Sequence, residues 1–163
     1  MLTFCIALIA DAYRQLRELL ATFRLTIEQA DLVAAMQAMI ASLQEQVTAK
    51  ISFSFQPGLE TLDAQQQVHL LQIAREAVLN AIRHADTANI SVRYERNAEG
   101  EHLLTVTDDG VGIASTEEPQ GHYGLTTMSE RAARLAGELK IQAQARGTQV
   151  ALRFPPRPAT PLT

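Results

Sequence analysis

The apolar positions along this chain change period several times, and each change predicts an element. Leu2, Ile6, Ile9, Tyr13, Leu16, Leu20 and Phe23 alternate in steps of four and three. That is the a/d pattern of a helix burying a narrow seam in a partner, with an ordinary core helix as the alternative. Asp31 then caps a second helix over residues 31–47, with Leu32, Ala35, Met36, Met39, Ile40 and Leu43 facing a core. Ile51, Phe53 and Phe55 alternate as a strand, and Pro57-Gly58 turns the chain. Asp63 opens a long amphipathic helix over 63–85. Residues 89–96 and 102–107 alternate as two strands of a hairpin around 97–100. Residues 114–120 form a mobile loop, and 126–136 a helix with Met128, Ala132, Leu135 and Ala136 on its apolar stripe and Gly137 at C′. A second hairpin follows over 138–143 and 148–154, then a flexible tail. The prediction is an α/β fold, a two-layer α/β sandwich with a mixed sheet covered on one face by helices, preceded by an N-terminal helical stem. Three segments result: a stem over 1–26, a globular domain over 27–154 and a tail over 155–163.

Composition narrows the function classes. The 163 residues, 47% hydrophobic, suit one domain with a sizeable core. A net charge of −4 carries no electrostatic footprint for nucleic acid. Lys50 and Lys140 are the only lysines, and neither follows a glycine-rich loop, so a Walker-type phosphate loop is absent. No His-Arg-Asp or Asp-Phe-Gly sequence occurs, which excludes a protein-kinase catalytic loop of that type. The lone Cys5 has no disulfide partner and no Cys/His company for zinc. The apolar first ten residues lack a basic start and end at Asp11, too short to span a bilayer, so the chain is expected not to insert in a membrane.

The candidate chemistry lies in four places. On the long helix, Glu76 and Asn80 are i and i+4, stacked one turn apart, with Arg83 and His84 extending the face. After the strand 102–107 comes Asp108-Asp109-Gly110-Val111-Gly112. Gly121-His122-Tyr123-Gly124-Leu125 opens the helix 126–136, where backbone N–H groups can receive an anion. Gly147-Thr148 precedes the last strand. Each alone has an ordinary reading: a solvated polar stripe, a glycine turn, a loop before a helix. Together they supply what a Mg-nucleotide site needs: oxygen ligands for a hard cation that keeps waters and phosphate oxygens, an acceptor for an exocyclic amine, and backbone free to pack on a flat base.

In that order, Glu76/Asn80, Asp108/Gly110/Gly112, Gly121/Gly124 and Gly147-Thr148 resemble the N box and glycine boxes of the histidine-kinase ATPase superfamily with the Bergerat fold. Ala12-Tyr-Arg-Gln-Leu-Arg-Glu-Leu-Leu20, His69-Leu-Leu-Gln-Ile-Ala-Arg-Glu-Ala77 and His122-Tyr-Gly-Leu125 are similar to the catalytic end of the nitrate/nitrite sensor kinases of two-component systems. The resemblance covers residues 11–154. It implies ATP as substrate and phosphoryl transfer to a histidine on a dimerisation helix, for relay to a response regulator with a receiver domain. It implies that Asn80 holds Mg²⁺, with Glu76 as a second candidate ligand, and that Arg83 and His84 approach phosphate oxygens. Asp108 would accept from the adenine amino group, while Gly110 and Gly112 let backbone approach the base. Gly121, Tyr123, Gly124 and Leu125 would shape the lid, and Thr148 would finish the adenine pocket. It implies a cytoplasmic domain whose parent protein is anchored in the inner membrane.

Two departures qualify the resemblance. Asp109 stands where the family usually carries Asn, and one glycine, Gly147, where relatives show several. The four histidines are His69, His84, His102 and His122; none lies in the heptad segment or precedes an acidic residue on a helix N-terminal to the nucleotide motifs. His69 reads as a packed structural residue, His84 as a phosphate contact or a helix cap, His102 as a surface residue starting a strand, and His122 as part of the lid. The phosphoacceptor is therefore expected on dimerisation helices outside this sequence. The alternatives are a nucleotide-binding fragment without turnover and an anti-sigma-factor-type Ser/Thr kinase of the same fold.

Overall fold

The structure is a computed structural model. It describes residues 2–28, 32–59, 62–84, 86–111 and 124–156, with the side chains of 2, 21–28 and 84 outside the description. The elements run α1 (Leu2–Glu28), α2 (Leu32–Gln44), β1 (Lys50–Phe55), α3 (Ala64–His84), β2 (Asn89–Arg96), β3 (His102–Asp108), α4 (Gly124–Arg134), β4 (Glu138–Ala143) and β5 (Thr148–Phe154). The five strands form one sheet in the order β1-β2-β3-β5-β4, with β1 parallel to β2 and every other pair antiparallel. No helix among the described residues is long and apolar enough to cross a membrane.

Alternation explains the two layers. One sheet face carries Ile90, Val92, Tyr94, Leu104, Val106, Leu152 and Phe154, all buried against the helices. The other carries the cross-strand row Ser52, Ser91, Thr107 and Gln149, which needs no cover. On the helical side, Leu32, Ala35, Met36, Met39, Ile40 and Leu43 of α2 are buried, the same six positions its periodicity marks. α2 is shorter than expected because Gln44 ends it: its side chain donates to Ala49 O at 2.8 Å and accepts from Ile51 N at 2.8 Å, tying the helix end to β1.

The long helix α3 starts as its sequence predicts. Asp63 Oδ1 accepts from Gln66 N at 2.8 Å and Gln66 Oε1 accepts from Asp63 N at 3.1 Å, a reciprocal capping box. The cap expected at Asp31 lies outside the described residues.

Two expectations are corrected. His102 is not a surface residue. It points to the same side as Leu104 and Val106, is fully buried, stacks on Phe154 at 4.7 Å, and has its Nδ1 2.8 Å from the Tyr94 hydroxyl. Gly137 is not the C′ residue of α4. Ala136 takes the left-handed conformation (φ 55°), while Gly137 N bonds Ala132 O at 2.9 Å and Ala136 N bonds Ala133 O at 3.0 Å, a Schellman motif one residue earlier. Gly137 has its own reason to be glycine: a methyl there would stand 2.6 Å from Arg153 O. As its period predicts, Ile6, Ile9, Tyr13, Leu16 and Leu20 lie on one helix, and their seam faces away from the domain.

Candidate functional site

Strand β3 delivers Asp108 to its C-terminal end, paired with Ile90 of β2. Being in phase with Leu104 and Val106, its side chain turns inward and is buried. Oδ1 accepts from Gly110 N at 2.9 Å, closing a tight Asx turn. Among the described residues Oδ2 has no hydrogen-bond partner, so one acceptor of a buried carboxylate remains open. The turn between β4 and β5 packs across this end. Gly147 has φ +86° and sits so close that a β-carbon would overlap the Asp108 carbonyl and stand 2.9 Å from Asp108 Oδ1. Thr148, the next residue, is buried beside it.

Asp109 does something different. Strand alternation sends its carboxylate away from Asp108, toward the start of β2. It accepts from the Thr87 hydroxyl (2.8 Å), Ala88 N (3.0 Å), Asn89 N (2.9 Å) and Asn89 Nδ2 (2.8 Å). Donors from the Asn89 side chain and backbone, then Thr87 and Ala88, hold its pKa well below the usual carboxylate range despite a smaller opposing effect of desolvation. Asp109 is thus a clasp between β2 and β3. The sequence marks the departure at this position but not its partners, which come from about 20 residues upstream.

Helix α3 lies across β2 and β3 and faces α4. Glu76 and Asn80 are both half-buried on it, one turn apart, and Arg83 further along is exposed. Glu76 reaches Gly124, the first residue of α4: a β-carbon at Gly124 would collide with Glu76 Oε1 and stand 3.1 Å from its Cδ. Leu125 packs against the core below. On the same α3 face, His69 has a buried Nδ1. Burial, then Arg131 and Arg134 of α4, push its pKa down, with Asp63 opposing.

The expected set therefore falls into two groups. Asp108, Gly110 and Thr148 gather where β3 meets the β4–β5 turn, and Glu76, Gly124 and Leu125 gather where α3 meets α4, with Asn80 one turn further along α3. Gly112, Gly121 and Tyr123 lie outside the described residues, as does the His84 side chain. The donor set of the α3 group, a carboxylate and a carboxamide, fits a hard cation shared with phosphate and water. The Asp108 group fits a base with an amine edge.

Residues 65–158 match the family of histidine kinase-, DNA gyrase B-, and HSP90-like ATPases. The chain is 51% identical over 145 residues to the nitrate/nitrite sensor protein NarQ of Escherichia coli K12, covering 88% of this chain and 26% of that protein. It is 33% identical over 146 residues to the nitrate/nitrite sensor protein NarX of the same strain, covering 89% and 24%. It thus spans about a quarter of the length of these relatives. Among solved structures, the histidine kinase domain of the blue-light activated histidine kinase from Erythrobacter litoralis EL346 superposes with a TM-score of 0.71 at 20% identity, over 85% of this chain and 71% of that one.

Proposed function

We propose that this chain, which belongs to the histidine kinase-, DNA gyrase B-, and HSP90-like ATPase family, is the ATP-binding catalytic part of a sensor histidine kinase. It would transfer the γ-phosphoryl group of ATP to a histidine on dimerisation helices of its parent protein, for relay to the receiver domain of a response regulator. The observation that carries the reading is Asp108: a buried carboxylate with one oxygen tied to Gly110 N and the other without a partner among the described residues, beside a glycine whose missing side chain keeps the place clear. Such an acceptor suits the adenine amino group.

The residues divide the work. Asp108 accepts from the base, and the backbone of Gly110 and Gly112 and the side chain of Thr148 flank it. Asn80 would hold Mg²⁺, with Glu76 alongside and Arg83 and His84 toward the phosphates; bound there, Mg²⁺ would neutralise charge on the phosphate oxygens. Gly121, Tyr123, Gly124 and Leu125 would border the phosphate end, as the resemblance implies. In phosphoryl transfer of this kind the protein mainly positions groups and neutralises charge, which this distribution suits. His102 is fully buried, so it is not presented as an acceptor. That supports an acceptor supplied from outside the described residues. The nitrate/nitrite sensor relatives weigh against the Ser/Thr-kinase reading, and with them come a cytoplasmic placement and a membrane-anchored parent protein.

The test is to incubate the chain with γ-labelled ATP and Mg²⁺, with and without an added dimerisation hairpin bearing its histidine. Acid-labile label on the hairpin alone is the expected result. ATP binding with no transfer to any supplied hairpin would leave the nucleotide-binding fragment as the better reading. Asp108→Asn should weaken ATP binding about 10- to 100-fold, the equivalent of losing one hydrogen bond to a charged group. Calorimetry giving wild-type affinity in the folded variant would remove Asp108 from the base site.

A further inference from the structure

Glu76 and Asn80 share a helix face, but their surroundings separate them. The Glu76 carboxylate occupies the place where a side chain at Gly124 would be, with Cδ and Cγ at 3.1 and 3.4 Å from that point. The whole end of Glu76, not its tip alone, is seated against the start of α4. That start has no negative charge of its own: the first turn of α4 contains no acidic residue, whereas its last turn carries Arg131 and Arg134. The first four N–H groups of a helix lack intrahelical acceptors and present positive partial charge, which a carboxylate offsets. Glu76 also acts on a second positive feature of the same helix. Arg131 is half-buried; burial and then Arg134 lower its pKa, while Glu130 and Glu76 oppose them. One α3 carboxylate therefore balances both the N-terminus of α4 and a guanidinium two turns further on.

We infer that Glu76 is a positioning residue which anchors the start of α4, leaving Asn80 as the metal and phosphate ligand of the pair. This rests on the nucleotide-site reading above and refines it. Gly124 is the first residue of α4, so its anchor sets where that helix, and with it the phosphate-side border of the site, begins. It also explains the glycine at 124, since any side chain would evict the carboxylate.

The experiment uses the intact chain and four variants. Amide hydrogen exchange without nucleotide reads the start of α4 directly, and titrations of ATP and of Mg²⁺ read the site. In Glu76→Gln, exchange over residues 125–130 should accelerate and ATP affinity should fall, each about 3- to 10-fold, with the Mg²⁺ midpoint unmoved. Gly124→Ala, which keeps the charge but displaces it, should do the same. Thr126→Glu puts an acidic residue in α4's own first turn and, combined with Glu76→Gln, should restore both exchange and ATP affinity. Asn80→Asp should instead move the Mg²⁺ midpoint and leave α4 exchange alone. Wild-type exchange in Glu76→Gln, or a Mg²⁺ midpoint shifted about tenfold (some 1.4 kcal/mol) by that substitution, overturns the inference. Failure of the wild-type chain to bind ATP would sink the nucleotide reading, while the exchange result would still decide whether Glu76 anchors α4.

Discussion

Adjacent acids at the end of β3 have separate tasks because consecutive residues of a strand face opposite ways. Asp108 turns inward and keeps an open oxygen; Asp109 turns outward and spends both oxygens on Thr87, Ala88 and Asn89. A carboxamide at 109 would present a donor to some of those donors, so the acid at this position belongs to the clasp rather than to a ligand contact. His69 makes a pH-dependent prediction. Burial, then Arg131 and Arg134, favour its neutral form in the folded chain, with Asp63 the opposing charge. The unfolded chain protonates this imidazole below its ordinary value of about 6.5, so the unfolded state gains protons there that the folded state resists. Stability from this residue is complete above pH 6.5 and is lost as pH falls below it. Denaturant midpoints at pH 7.5 and 5.5 should show a smaller acid-side loss in His69→Gln than in wild type. Equal losses in the two proteins would mean that His69 does not titrate against the α4 arginines.

Elements with strong local signals are legible in the sequence itself. The six core positions of α2, the Asp63 start of α3, and the two hairpins each rest on residues within a few positions of one another. What stays hidden there depends on contacts between distant segments. His102 reads as polar and exposed, and only its phase with Leu104 together with Tyr94 and Phe154 makes it a core residue. Gly137 reads as a helix terminator and is instead a close approach to β5. Of the site, residue types and order are legible, while the pairing of Glu76 with Gly124 and of Gly147 with Asp108 is not, because each joins elements far apart in sequence. Gly147 supports a controlled comparison with Gly100, which has φ +82° in the β2–β3 turn but open space where a Cβ would stand, whereas Gly147 at +86° abuts Asp108. Alanine at Gly100 should cost only the left-handed backbone term, about 1–2 kcal/mol. Alanine at Gly147 should cost more and also weaken ATP binding, since Asp108 must move. Equal costs, with ATP affinity intact in both, would show that the turn yields without disturbing Asp108.

At the scale of the whole molecule, two kinds of surface meet in α1. One side reaches the domain: Glu18 pairs with Arg75 at 3.0 Å, one residue before Glu76, and Arg75 is largely buried. The other side exposes Ile6, Ile9, Tyr13, Leu16 and Leu20, each more than half accessible. These side chains contribute little while exposed, yet burying one against a partner is worth up to roughly 1.5–3 kcal/mol. An isolated seam of little more than three heptads is marginal, so self-association of this chain should be weak or absent. Any dimer that does form should use the stripe, and Leu16→Glu with Leu20→Glu should abolish it in sedimentation. Because both positions already face solvent, the double variant should keep its thermal stability. It should also bind ATP as wild type does, since Asp108 and Asn80 sit on the domain core and the Glu18–Arg75 pair is untouched. If ATP binding fell while the domain stayed folded, the stem and the site would be coupled, and the route open to that coupling is short: Glu18 to Arg75, and from Arg75 along α3 to Glu76 and the start of α4.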